Sequence, residues 1–103
     1  MSEFEIRRDG DRLEVILLGD LTASVVPVLK PALMSALEEG GTEVEFDFDK
    51  TVVIDSTGIG FLIAAYNSLQ KKTGTVRIVQ ASNDIFRLLQ SMRLEKRLSV
   101  ATR

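Results

Sequence analysis

The chain has 103 residues, 45% of them apolar, which is enough for one compact domain and too little for two with separate cores. Its 13 basic and 15 acidic side chains leave a net charge of −2, so no whole-molecule field would draw it to nucleic acid or an anionic membrane. Cysteine and histidine are both absent, which excludes disulfides, thiolate nucleophiles, the usual zinc ligand sets and imidazole general bases.

The N-terminus, Met1-Ser2-Glu3-Phe4-Glu5, is acidic and lacks the basic and apolar regions of a signal peptide. No apolar run approaches the ~20 residues of a membrane span, so a soluble, cytoplasmic protein is expected. Phe4 to Arg8 and Leu13 to Leu18 flank Asp9-Gly10-Asp11 and read as an antiparallel hairpin. Gly19-Asp20 ends the second strand. Val25, Leu29, Ala32, Leu33, Ala36 and Leu37 then recur at helical spacing up to Gly40-Gly41. Thr22 or Ser24 is expected to cap this helix, with Pro27 tolerated in the first turn and Pro31 forcing a late start or a kink.

From Glu43 to Asp49 the alternation is strict, with Val44, Phe46 and Phe48 on one face and carboxylates on the other, the pattern of a strand with one wet face. Val52-Val53-Ile54 leads into Asp55-Ser56-Thr57-Gly58-Ile59-Gly60. After it Ile59, Leu62, Ile63, Tyr66 and Leu69 predict a second helix, closed by Lys71-Lys72 and Gly74. Thr75 to Gln80 reads as a strand. Ser82 or Asn83 can cap a third helix facing inward through Ile85, Phe86, Leu89 and Met92, and Arg97 to Ala101 can add a short edge strand.

Strands joined by helical crossovers must be parallel, and right-handed crossovers that advance in one direction put successive helices on one side. The expected fold is α/β, a mixed sheet of four to five strands with helices packed mainly on one face. A single domain over 1–103 is expected, without repeats, linkers or low-complexity tracts.

The stretch Asp55-Ser56-Thr57-Gly58 lies where a helix start leaves backbone N–H groups unpaired and tolerates added negative charge, which makes Ser56 a candidate phosphorylation site. The same four residues are also a good capping sequence: Asp55 or Ser56 would accept from a first-turn N–H, and Gly58 and Gly60 would allow close packing. Both readings stand at this level. Asp47, Asp49 and Asp55 lie close in sequence and offer oxygen ligands, but two of them belong to an acidic strand face, so no metal site is expected. Neither the Walker pattern nor Gly-x-Gly-x-x-Gly is present, and no nucleotide or other cofactor is expected. Without a histidine, Ser56 has no base to make it a nucleophile and reads as substrate rather than catalyst, so no enzymatic activity is expected. Arg87, Arg93, Lys96, Arg97 and Arg103 cluster late in the chain, with too little aromatic interleaving to suggest single-stranded nucleic acid.

Over almost its whole length the chain resembles the STAS domain family, and within it the stand-alone bacterial anti-sigma factor antagonists. The resemblance rests on the opening hairpin, Gly19-Asp20-Leu21-Thr22, the acidic strand running into Val53-Ile54-Asp55-Ser56-Thr57-Gly58-Ile59-Gly60, and Ile85-Phe86-Arg87-Leu88-Leu89. It implies a partner switch. Unphosphorylated, the protein would bind a serine kinase of the histidine-kinase-like ATPase fold that is also an anti-sigma factor, displacing the sigma factor. Phosphorylated, it would let go, and a metal-dependent serine phosphatase would restore the hydroxyl. The match assigns phosphorylation to Ser56 and partner binding to Asp20, Thr22, Asp55, Ser56, Thr57, Gly58, Ile59 and Gly60. The family also includes permanent interaction subunits of transport or stress-signalling assemblies, in which Ser56 would be only a helix cap. Members usually continue past the fifth strand into a final helix, whereas this sequence stops at Val100-Ala101-Thr102-Arg103, and Pro27 and Pro31 are unusual in the first helix.

Overall fold

Period-two alternation of apolar and polar residues builds the sheet. The computed structural model describes residues 3–103, so the expected domain span begins on two residues outside that range. β1 (Phe4–Asp9) and β2 (Arg12–Leu17) form the hairpin. Gly10 turns it at φ 63°, a left-handed conformation that glycine adopts without steric cost. β3 (Glu43–Asp47), β4 (Thr75–Ala81) and β5 (Val100–Thr102) follow in parallel, giving the order β1-β2-β3-β4-β5. β3 ends two residues before the alternation does, yet Phe48 still points into the core.

The crossovers are α1 (Val26–Glu38), α2 (Ser56–Gln70) and α3 (Asn83–Ser91). They cover the sheet face carrying Leu13, Val15, Leu17, Val44, Phe46, Val76 and Ile78, all buried in one cluster with Leu29, Leu33, Phe61, Leu62 and Leu89. Phe46 meets Phe61 edge to face at 5.8 Å. The opposite face is polar: Arg77 pairs with Glu43 at 3.6 Å and Glu45 at 3.8 Å, and Arg12 pairs with Glu14 at 3.2 Å.

Each helix departs from its sequence pattern in one respect. α1 has no side-chain cap: the Thr22 carbonyl accepts from the N–H groups of Val25 and Val26, while the Thr22 and Ser24 hydroxyls bond each other at 2.9 Å. The helix starts late, at Val26, and runs through Pro31 as one element.

In α2 the buried face is Gly58, Ile59, Phe61, Leu62, Ala65 and Leu69, while Ile63 is 37% exposed and Tyr66 half-buried. The expected stripe was turned by about one residue, because Phe61 must reach Phe46 across the layer. Lys72 does not complete its own helix. Its ammonium donates to the Leu37 and Gly41 carbonyls at the end of α1, at 2.5 and 3.2 Å, where the Arg8 guanidinium also donates to Ala36 and Gly40. Two cations drawn from elsewhere in the chain thus satisfy carbonyls that a helix C-terminus leaves open.

Ser82 caps α3, its Oγ accepting from Ile85 N at 3.2 Å. Ile85 and Leu89 are buried and Phe86 half-buried. Met92, expected inward, is 45% exposed because it is already the residue that ends the helix.

Candidate functional site

The ends of β2 and β3 deliver two loops, residues 18–25 and 48–55, that are sewn together before α1 and α2 begin. Leu21 N donates to Val53 O at 3.1 Å, Asp55 N to Leu21 O at 3.3 Å, and Leu21 and Ile54 form an isolated parallel bridge. The fully buried Thr51 hydroxyl donates to Gly19 O at 2.9 Å. One oxygen of exposed Asp20, Oδ1, accepts from both Val52 N and Val53 N at 3.0 Å, fixing the backbone just ahead of the motif.

Asp55 is the hinge of this arrangement. Its backbone is extended, and its carboxylate accepts from Gly58 N through Oδ1 at 2.8 Å and from Ala23 N through Oδ2 at 2.9 Å. One side chain therefore caps α2 and holds the loop that enters α1. The N–H groups of Gly58 and then Ala23 stabilise the ionised form and hold this carboxyl below its ordinary value, against partial burial that works the other way. Gly58 is required by the close approach of the loops, since a Cβ there would lie 2.2 Å from the Leu21 carbonyl oxygen. Gly60 is different: a Cβ there would meet nothing within 4 Å, so it leaves open space instead of allowing close packing.

Ser56 is the first residue of α2 and is exposed, as is Thr57. Because Asp55 carries the capping bond, Ser56 is not the cap. It lines one end of an apolar groove of about 440 Å³ whose walls are Ile54, Ile59 and Ile63 on one side and Leu88 and Met92 of the α3 region on the other. The eight residues to which the resemblance assigns partner binding lie at one end of the sheet but in different states. Asp20, Ser56, Thr57 and Gly60 are exposed, Thr22 and Asp55 half-buried, and Gly58 and Ile59 buried. Leu88 and Met92 were missed, since their stripe on α3 is adjacent to the core stripe and only the approach of α2 gives it a partner.

The three aspartates weighed as metal ligands are separately engaged. Asp47 accepts from Asp49 N at 2.9 Å, Asp49 pairs with Arg103, and Asp55 holds the two loops. Among the described residues no three His, Cys, Asp or Glu side chains gather into a cation site, and no helix is long and apolar enough to cross a membrane.

The family model described as "Mlab, STAS domain" matches residues 4–100. An anti-sigma-B factor antagonist of Listeria monocytogenes is 28% identical over 83 residues, 81% of this chain and 73% of that protein. The anti-sigma-B factor antagonist of Bacillus subtilis is 20% identical over 99 residues, 96% of this chain and 90% of its own. Among solved structures, an anti-sigma factor antagonist from Mycobacterium paratuberculosis superposes with a TM-score of 0.81 at 19% identity, covering 95% of this chain and 83% of that one. The Bacillus cell fate determinant SpoIIAA in its phosphorylated form gives 0.79 at 19% identity, covering 96% and 91%.

Proposed function

The chain belongs to the STAS domain family, and on that premise we propose that it is an anti-sigma factor antagonist switched by phosphorylation of Ser56. Unphosphorylated, it binds an anti-sigma factor that is also a serine kinase and frees the sigma factor. The single observation that carries this reading is the exposed hydroxyl on the first residue of α2, left free of capping duty by Asp55. The names of the sequence relatives support the choice of partner class.

The chemistry asked of this chain is modest. Ser56 Oγ attacks the terminal phosphorus of ATP held by the kinase, the O–P bond to ADP breaks, and the hydroxyl proton passes to a base of the kinase, since the chain has no histidine to supply one. A metal-dependent serine phosphatase reverses the modification by hydrolysis. The phosphate adds about −1.5 to −2 charge beside the Asp55 carboxylate, which already occupies the Gly58 N–H. The positive end of α2 lets the fold bear this charge. A partner packed against the groove mouth must desolvate it. Losing about 3 kcal/mol in that way weakens docking more than a hundredfold, and needs no large conformational change in this chain.

Incubation with the cognate kinase and ATP is expected to add the mass of one phosphate, and Ser56→Ala to abolish it. Ser56→Asp is expected to weaken kinase binding while leaving the fold intact. If no kinase modifies the chain and both variants bind the partner as the parent does, the switch is overturned in favour of a permanent subunit of a larger assembly.

A further inference from the structure

Charge is unevenly divided along this chain. Residues 83–103 carry five basic and two acidic side chains, whereas residues 1–82 carry eight basic and thirteen acidic ones. The two populations also behave differently. On the open sheet face Arg7, Arg12 and Arg77 are each within 4 Å of a carboxylate, and Arg103 reaches Asp49. Among the described residues Arg87, Arg93, Lys96 and Arg97 have no carboxylate within that distance, and all four are exposed.

Three of these cations lie beside residues of the apolar groove or line its extension. Arg87 adjoins Leu88 in the chain and Arg93 adjoins Met92, and Leu88 and Met92 form one wall. Ile63 is shared with a smaller hollow of about 60 Å³ that extends the groove past Tyr66 and Asn67 and is lined by Arg97 itself. The apolar trough therefore follows α2 from Ser56 to Asn67, about 16 Å at 1.5 Å per residue, or about three helical turns. Ile63, Leu88 and Met92 are 37%, 36% and 45% exposed and line the same groove, so they offer one apolar strip and not scattered single residues. The one carboxylate lining it, Asp55, spends its charge on the Gly58 and Ala23 N–H groups, and Asp84 and Glu95 are the only others on the cationic segment.

We propose that the groove between α2 and α3 seats an amphipathic helix of a partner protein, about three turns long, whose apolar stripe packs on Ile63, Leu88 and Met92 and whose flank is acidic, facing Arg93 and Arg97. The trough supplies the desolvated contact and the unpaired cations supply register and polarity. This deepens the reading of Ser56 as a partner-facing group, because a phosphate at the groove mouth would stand at the end of that helix.

The probe is a pair of acetylated, amidated peptides of about 14 residues with leucine at helical a/d spacing, one flanked by glutamate and its twin by lysine. Titrated into the unphosphorylated protein with no kinase present, the glutamate peptide is expected to bind at least about tenfold more tightly than its twin, and to weaken with salt. Met92→Glu, on an exposed side chain, should cost about tenfold in affinity without changing Tm. The double variant Arg93→Glu/Arg97→Glu should erase the preference for the acidic peptide. Equal binding of the twins, no binding of either, or a concentration-dependent dimer abolished by Met92→Glu would overturn the proposal. So would binding of anionic vesicles or RNA through the same cations with Leu88 and Met92 dispensable. Since no kinase enters the assay, failure here leaves phosphorylation of Ser56 standing, and absence of phosphorylation leaves the groove standing.

Discussion

The starts of α1 and α2 lie side by side at the ends of β2 and β3, and they are finished in opposite ways. α1 begins at Val26 without a side-chain cap, its first N–H groups turned onto the Thr22 carbonyl. α2 begins at Ser56 under a carboxylate that also secures the loop before α1. One capped start therefore stabilises two. The consequence bears on the proposed switch, because a helix capped by the preceding residue leaves its first hydroxyl free of capping duty.

That comparison can be broken most severely at Gly58. Gly58→Ala forces a Cβ to within 2.2 Å of the Leu21 carbonyl oxygen and 2.9 Å of Ile54 Cγ2, so the two starts must separate. A loss of about 3 kcal/mol or more is expected in urea unfolding, whereas Gly60→Ala, facing open space, should not destabilise.

A smaller effect is expected at Asp55. Asp55→Ala removes the cap of α2 and the tie to Ala23 together, and Tm should fall by a few degrees at neutral pH. Because the folded carboxyl lies below its ordinary 3.8, its contribution is complete above that value and is lost as pH falls through the folded pKa. The gap in Tm between parent and variant should therefore close in acid, and a gap that persisted there would assign the effect to packing.

The smallest expected change sharpens the contrast. Ser56→Ala should alter unfolding stability by no more than about 0.5 kcal/mol, because the residue is exposed and does not cap the helix. A large loss would make the hydroxyl structural and weaken the case for a modification site.

Much of this site could be read along the chain. The apolar run, the capping tetrapeptide and the helical pattern after it are all local, and they bring Asp55, Ser56 and Gly58 to a helix start without any knowledge of the fold. The roles within the tetrapeptide were not legible. Asp55 and Ser56 were equally good caps on paper, and it is the Ala23 N–H from another loop that holds the aspartate in that role. Likewise Gly58 and Gly60 look alike in sequence, and only the passage of Leu21 over one of them separates them.

By itself the sequence determined the order of elements, the one-sided sheet and the place of the motif, because periodicity and turn chemistry act between residues a few positions apart. The tertiary structure decided which side of α2 is buried, that Lys72 serves α1, that Met92 faces water and that an apolar groove opens beside Ser56. Those outcomes depend on partners brought together from distant parts of the chain. A spacing rule fixes a helical face only to within about one residue, or about 100° of rotation, and the neighbour that packs against the face chooses the rest.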